Sequence, residues 1–435
     1  MPAFVQPVFW VLILLGVMII IHELGHYWAC LAVGVRVETF SIGFGSRILG
    51  FRRGDTDFRV SAVPLGGYVR MFGENPGDEA AANDPRSFHA KARWQRAIVI
   101  LAGPLMNVLL AIGILTGLYM YAFPKEADSR DPVVTSIAPD SPAARAGMQV
   151  GDRIVQIGNQ RDPNWQDVLT KEALNGNHRL PVVVQRKGHT LKLGVTPALD
   201  PKQGIGVAGW SGEPDIQIGG VASGSPAEKA GLHPGDLIVS IDGRPVAAME
   251  TVLQQVTGSG GKPVDILVMR SGHIERVSVT PTPTPDPKLP WHIGVEMRFR
   301  GEIVKLPFGR ALVESLRANK RSATLIFDSL RSIVERRVSP KNLHGPIMIA
   351  KMSGEAAHEG PLSFLYLMAV ISLNLAVFNL LPIPILDGGT LLMLLIEMLI
   401  QREVSLRVKE TVFKVGFVFL MMVVVFVIYN DIVSF

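Results

Sequence analysis

Four stretches of the chain carry no charged side chain: residues 1–21, 97–123, 361–386 and 415–429, the last continuing an apolar run that begins near Thr411. About 20 apolar residues cross the hydrocarbon core of a bilayer as a helix, so the pattern predicts four transmembrane helices. The insert between the second and third runs is charged throughout and reads as globular. Residues 34–71 alternate β-branched and aromatic positions around Gly43-Phe44-Gly45 and Pro64-Leu65-Gly66-Gly67, which predicts strands joined by a turn. Residues 308–338 place Leu312, Leu316, Ile326, Leu330 and Ile333 at helical spacing among charges, an amphipathic helix.

The first apolar run ends in Ile21-His22-Glu23-Leu24-Gly25-His26. A mid-membrane charge costs roughly 3 kcal/mol, so ionisable groups there need a reason. Residues four apart share a helix face, so His22 and His26 can point at one ion with Glu23 beside it. That pattern suits a hydrolytic Zn²⁺, with two neutral imidazoles as ligands and the glutamate as proton acceptor. With ten histidines in 435 residues, a chance H-E-x-x-H is on the order of one in a hundred.

Length and a mean hydropathy of +0.29 exclude a single soluble domain. A cleaved signal peptide would discard the His-Glu-His motif, and the first basic residue is Arg36, so the first run reads as a retained span. Ten Lys/Arg fall between Arg36 and Arg96 and four between Arg402 and Lys414. Those connections are expected on the cytoplasmic side, with both termini and the 125–360 insert outside. The net charge of +5 then reflects topology, and no nucleic-acid partner is expected. Cys30 is the one cysteine. It lies about 12 Å along the helix from His22, too far to share its ion, and reads as a packing residue.

The insert contains a repeat. Ser141-Pro142-Ala143 through Gly151-Asp152-Arg153-Ile154 returns 84 residues later as Ser225-Pro226-Ala227 through Gly235-Asp236-Leu237-Ile238, without a gap to Thr196-Pro197 and Thr280-Pro281. Each copy resembles a PDZ domain, which implies two tandem α+β modules, expected at 125–203 and 204–285. Such folds take peptides, often C-termini, as an added strand; a spacer or steric screen without ligand is the alternative. Residues 286–360 are expected to hold a proline-rich linker and the outer amphipathic helix.

Two histidines leave zinc short of a protein ligand. A metzincin pattern would put histidine at position 32, where Ala32 stands. The informative stretch is Asn374-Leu375-Ala376-Val377-Phe378-Asn379-Leu380-Leu381-Pro382-Ile383-Pro384-Ile385-Leu386-Asp387-Gly388. Its prolines must break the helix, and backbone freed at membrane depth survives only beside protein or a polar cavity. Asp387 is the first carboxylate after 26 uncharged residues; a helix N-cap is the competing role.

H-E-x-x-H in the first span, N-x-x-P-x-P-x-L-D-G in the third and the repeats between the second and third resemble the site-2 protease family of intramembrane zinc proteases, of the bacterial regulator-of-sigma-E type. The resemblance covers essentially the whole chain. It implies an α-helical integral membrane protein with four transmembrane helices, a membrane-associated β region and two tandem PDZ domains. The membrane parts fall at 1–124 and 361–435. It implies Zn²⁺ held by His22, His26 and Asp387, with Glu23 as catalytic base. Asn374, Asn379, Pro382 and Pro384 are implied to hold substrate, as are Gly66, Gly67 and Tyr68 in the β region. The implied substrates are single-span membrane proteins in the bacterial inner membrane, such as a pre-trimmed anti-sigma factor or signal-peptide remnants, cleaved towards the cytoplasmic side. A non-catalytic membrane scaffold with a vestigial metal site, and a zinc transporter, are the competing readings.

Overall fold

The computed structural model describes residues 5–74, 84–121, 123–126, 132–201, 203–212, 216–246, 249–271, 273–284, 289–299, 301–342 and 345–433. The chain forms two compact units, 1–123 with 304–328 and 341–435, and 124–303 with 329–340.

The helices of the first unit are α1 (Val5–Val33), α2 (Arg93–Tyr121), α3 (Phe308–Val334, within this unit to Asp328), α4 (Pro346–Glu359), α5 (Pro361–Asn379), α6 (Asp387–Ile400) and α7 (Leu406–Val433). Among the described residues α1, α2, α5 and α7 are long and apolar enough to cross a membrane. Helices satisfy their backbone internally, the condition for running through lipid. The third charge-free run is broken where its prolines require. Its helix stops at Asn379, because Pro382 and Pro384 lack the N–H that a further turn needs, and residues 380–386 form a loop before α6.

Trp10 of α1 meets Phe364 of α5 edge to face at 5.1 Å, over Leu14, Met18 and Leu367. Ala111 and Leu115 of α2 share a core with Ala369 and Leu373 of α5 and Ala311 of α3. Ser315 Oγ of α3 donates to the Ile112 carbonyl at 2.9 Å. The first N–H groups of α4 have no partner on their own helix. Asp431 of α7 accepts from Gly345 N–H at 2.8 Å and Ile347 N–H at 3.0 Å, capping it from 84 residues away. Cys30 is buried among Val35, Val99 and Leu394, as a packing residue should be.

Strands β1 (Val37–Arg53) and β2 (Thr56–Met71) fold into more than a hairpin. Ile42 of β1 pairs with Val60 on one side and Gly67 on the other, and Phe40 pairs with both Phe58 and Val69. Pro64-Leu65-Gly66-Gly67 is therefore the corner that carries β2 across β1. Gly67 to Met71 becomes an outer strand.

In the second unit the two copies repeat element for element. Helix Pro142–Arg145, strand Arg153–Ile157, helix Trp165–Ala173 and strands Leu180–Arg186 and His189–Val195 recur as Pro226–Ala230, Leu237–Ile241, Met249–Gly258, Val264–Arg270 and His273–Val279. Ser141 and Ser225 cap the short helices. Each copy has a matching ion pair on a buried aspartate: Arg186 grips Asp152 at 2.7 Å and the Gly147 carbonyl at 2.7 Å, and Arg270 grips Asp236 at 2.6 Å and the Gly231 carbonyl at 2.8 Å. Burial opposes ionisation of both aspartates, but the bidentate arginine prevails and holds them below the usual carboxylate range.

Both copies extend past the expected boundaries at 203 and 285. Ala208 and Trp210 belong to the first core, and Ile293 to the second. Strand Val295–Phe299 pairs with Ile216–Val221, so this part of the expected linker is the closing strand of the second copy, while residues 285–288 lie outside the described ones. The misplacement arose because each copy ends on a strand that lacks an apolar run of its own.

The copies differ in the polarity of a buried position. Glu172 accepts from Ala208 N–H at 2.5 Å and Trp210 Nε1–H at 2.6 Å, whereas its counterpart is Val256. Burial pushes the Glu172 carboxyl up to about 7 against the pull of those donors. The folded copy keeps its proton after the unfolded chain has released it at about 4.5. Stability is therefore full below that value, falls as pH rises towards 7, and is level above, by on the order of 3 kcal/mol in all. Hydrogen exchange of residues 205–212 in the full-length protein, corrected for intrinsic rates, should show faster local opening at pH 8 than at pH 5. Glu172→Gln should abolish the difference; an unchanged pH dependence in that variant refutes the assignment.

Candidate metal centre

His22 and His26 stand one turn apart on α1 and are both buried. Their rings meet edge to face at 4.8 Å, with Nε2 atoms 3.2 Å apart. Asp387, far away in sequence, brings Oδ2 to 3.2 Å from His22 Nε2 and 3.6 Å from His26 Nε2. This oxygen has no partner of hydrogen-bond geometry. Two ring nitrogens and an orphaned carboxylate oxygen, all within 4.8 Å of one another, form a donor set that a divalent cation satisfies. Two imidazoles and one carboxylate fit zinc.

Asp387 is the first residue of α6, and the capping position belongs to Leu386, which makes no side-chain cap. The N-cap role weighed for Asp387 is thus not what its carboxylate does here. Loop 380–386 is folded tightly onto the first turn of α6. A Cβ on Gly388 would come within 2.3 Å of the Leu380 carbonyl oxygen, and one on Gly389 within 2.3 Å of that of Ile383. Ile385 takes φ 91°, a region β-branched residues avoid, at a cost of order 1–3 kcal/mol. Strain and close backbone approach together fix where Asp387 points.

Helix α2 supplies the other wall. A Cβ on Gly25 would lie 2.3 Å from the Ala102 carbonyl oxygen, and one on Gly103 would lie 2.2 Å from His26 Nε2 and 2.9 Å from His22 Cε1. The rings therefore occupy space that only glycine leaves open. His26 Nδ1 lies 2.8 Å from the Val99 carbonyl oxygen, and His22 Nδ1 lies 3.4 Å from the Asn107 amide. None of these α2 partners was expected from sequence. The available signal was Gly103-Pro104-Leu105-Met106-Asn107, a small and a polar residue one turn apart in a charge-free span.

The outer strand lies alongside Glu23. Gly67 is close enough that its Cβ would sit 3.4 Å from Glu23 Cγ, and Val69 lines the same cavity as Glu23. Tyr68 stacks on Phe44 at 5.9 Å, Arg59 hydrogen-bonds its hydroxyl, and Gly66 abuts the Phe44 ring. A cavity of about 650 Å³ opens beside these groups, lined by His22, Glu23, His26, Tyr68, Ile385 and Asp387 among others. Asn374, Asn379 and Pro382 do not line it. Asn379 is the last residue of α5 and Asn374 is half-buried on the same helix, while Pro384 packs against Gly416 of α7.

Residues 10–423 match the model of peptidase family M50. The chain belongs to that family. It is 33% identical to the regulator of sigma-E protease RseP of Salmonella typhimurium over 445 residues, 97% of each chain. It is 31% identical over 460 residues, 99% of each chain, to a Xylella fastidiosa protein whose name includes the words zinc metalloprotease. Among solved structures, the PDZ domain of an SdrC-like protein from Listeria monocytogenes overlaps 20% of this chain and 90% of that one, with 24% identity and a TM-score of 0.18. The M50 peptidase is accordingly a zinc metalloprotease of the membrane, and its metal is zinc.

Steric room for the rings is open to test. Gly103→Ala should lower zinc affinity by at least the ~10-fold seen on disturbing groups that orient ligands. Gly113→Ala, ten residues along the same helix with nothing within 4 Å of its Cβ, should leave it unchanged. Metal content after dialysis at fixed free zinc decides, and equal retention by both variants rules the argument out.

Proposed function

We propose that the M50 peptidase hydrolyses single-span membrane proteins within or next to their membrane segment. His22, His26 and Asp387 are its zinc ligands and Glu23 its general base. The observation that carries this reading is the convergence of the three donor atoms, two from a candidate membrane span and one from the first residue of α6, after the break that ends another. Bound zinc supplies Lewis acidity, polarising the scissile carbonyl and acidifying water. Glu23, one residue from His22, takes the water's proton and passes it to the leaving amine.

The names of the sigma-E relatives favour an anti-sigma-factor type of substrate, with signal-peptide remnants as a second source of single spans. The basic connections favour a bacterial inner-membrane orientation with both termini and the repeats outside. The repeats serve as PDZ modules, whose ligands are peptide C-termini, or as a spacer or steric screen without ligand. Gly66, Gly67 and Tyr68 offer the substrate an edge strand, and Asn374, Asn379, Pro382 and Pro384 hold it from the broken helix, outside the cavity lining.

Purified protein should cleave a single-span substrate, and a chelator should stop it. Glu23→Gln should lose cleavage by several orders of magnitude yet keep its zinc, because the ligands remain. Asp387→Asn should lose both, since a neutral amide is a poor zinc ligand. Full zinc occupancy in the Asn variant, or normal turnover by the Gln variant, would sink the respective role.

Asn379 is tested through substrate helicity. Its amide can bind backbone freed when a substrate helix opens. Asn379→Leu should impair cleavage of a Leu-rich segment more than of one with Gly or Pro near the scissile bond, which is already partly unwound. Zinc content should stay normal. Equal loss on both substrates would assign Asn379 to folding or chemistry instead.

A further inference from the structure

We infer that Asn107 is a positioning residue that fixes the tautomer of His22 for metal binding; this rests on the ligand reading given above. Asn107 is fully buried in α2. Its backbone carbonyl accepts from Ser372 Oγ of α5 at 2.9 Å, which anchors it where three helices meet. Its neighbours on the same helix face, Gly103 and Ala111, are small and apolar, and packing alone gives no reason for an amide between them.

The two histidines present their Nε2 atoms to each other and to Asp387. As ligands, those atoms offer lone pairs, so the ring protons sit on Nδ1. His26 Nδ1–H has an acceptor that cannot be anything else, the Val99 carbonyl at 2.8 Å. His22 Nδ1 faces the Asn107 amide at 3.4 Å through the atom assigned as Nδ2, while Oδ1 has no partner. A donor opposite a donor is unstable. The two ends of an amide interchange by a half-turn, and the ring proton requires the oxygen to face His22. Asn107 then does for His22 what the Val99 carbonyl does for His26. Helix α2 thus holds both imidazoles in the metal-binding tautomer, and orienting groups of this kind are worth about 10- to 100-fold in metal affinity.

The experiment measures zinc affinity of the full-length protein in detergent by chelator competition, with circular dichroism and size-exclusion to establish folding. Asn107→Leu should bind zinc on the order of 10- to 100-fold more weakly than wild type. If Leu disturbs the fold, Asn107→Ala, which removes the amide without adding volume, is read in its place. Asn107→Asp keeps an acceptor and should hold zinc within about threefold of wild type, a rescue that a purely structural role would not give. His22→Ala is the reference. If it loses zinc while the Leu and Ala variants bind as wild type, the role of Asn107 is overturned and the ligand assignment stands. If His22→Ala itself keeps wild-type zinc, the ligand assignment fails and the inference falls with it. Equal weakening in the Leu and Asp variants also overturns it, because the acceptor would then not matter.

Discussion

The membrane unit is organised around the cost of keeping ionisable groups away from water. A charge at bilayer depth costs roughly 3 kcal/mol on insertion scales, and three such side chains are tolerable only when they share a counter-charge. His22, His26 and Asp387 meet that condition by converging, and the surrounding geometry follows from it. Gly103 must lack a side chain so that both rings fit, Gly25 must let α2 come close, and Gly388 and Gly389 must let a loop lie on α6 so that the carboxylate arrives. Replacing any one would move a donor atom by a distance that matters for coordination.

The same constraint governs the backbone. Lipid satisfies no peptide group, so the break after α5, and a strand edge if the β region lies at the same depth, need partners. Here they adjoin one cavity, with Gly67 against Glu23 and with Tyr68, Val69 and Ile385 in its lining. A peptide opened from its helix faces the same problem, and an edge strand provides the most direct remedy. On the proposed function, the elements that look irregular in an otherwise helical domain are those a substrate backbone requires.

What the sequence displayed was whatever is local. Charge-free runs gave the spans, four-residue spacing gave the histidine pair, the proline pair gave the break before Asp387, and the exact 84-residue register gave the duplicated module. Three things were hidden. The ends of the repeats were misplaced, because the closing strand Val295–Phe299 acquires its identity only by pairing with Ile216–Val221. The double use of Ile42, paired with both Val60 and Gly67, cannot be read from alternation, which carries no information about register between distant segments. The roles of Gly103 and Asn107 were invisible because each depends on a helix crossing, and amphipathic pattern is weak where every face of a span is apolar.

The cavity also separates hydrolysis from transport. On one side of the ligands it continues past Arg96, Glu397 and Lys409, where Glu397 is fully buried but accepts from Lys409 Nζ at 2.7 Å and the Val404 N–H at 3.0 Å. Water can follow such a wall. On the other side, one and two turns before His22, stand Met18 and Leu14, both fully buried with Phe364, Leu367 and Met368. An ion crossing the membrane would have to lose its ligands to this apolar plug, at a cost no side chain there offsets. A hydrolase needs no second opening. It needs water from one face, a dry wall behind the metal and a backbone edge beside the base, and with the roles proposed for His22, Glu23 and His26 those three features are what surround them.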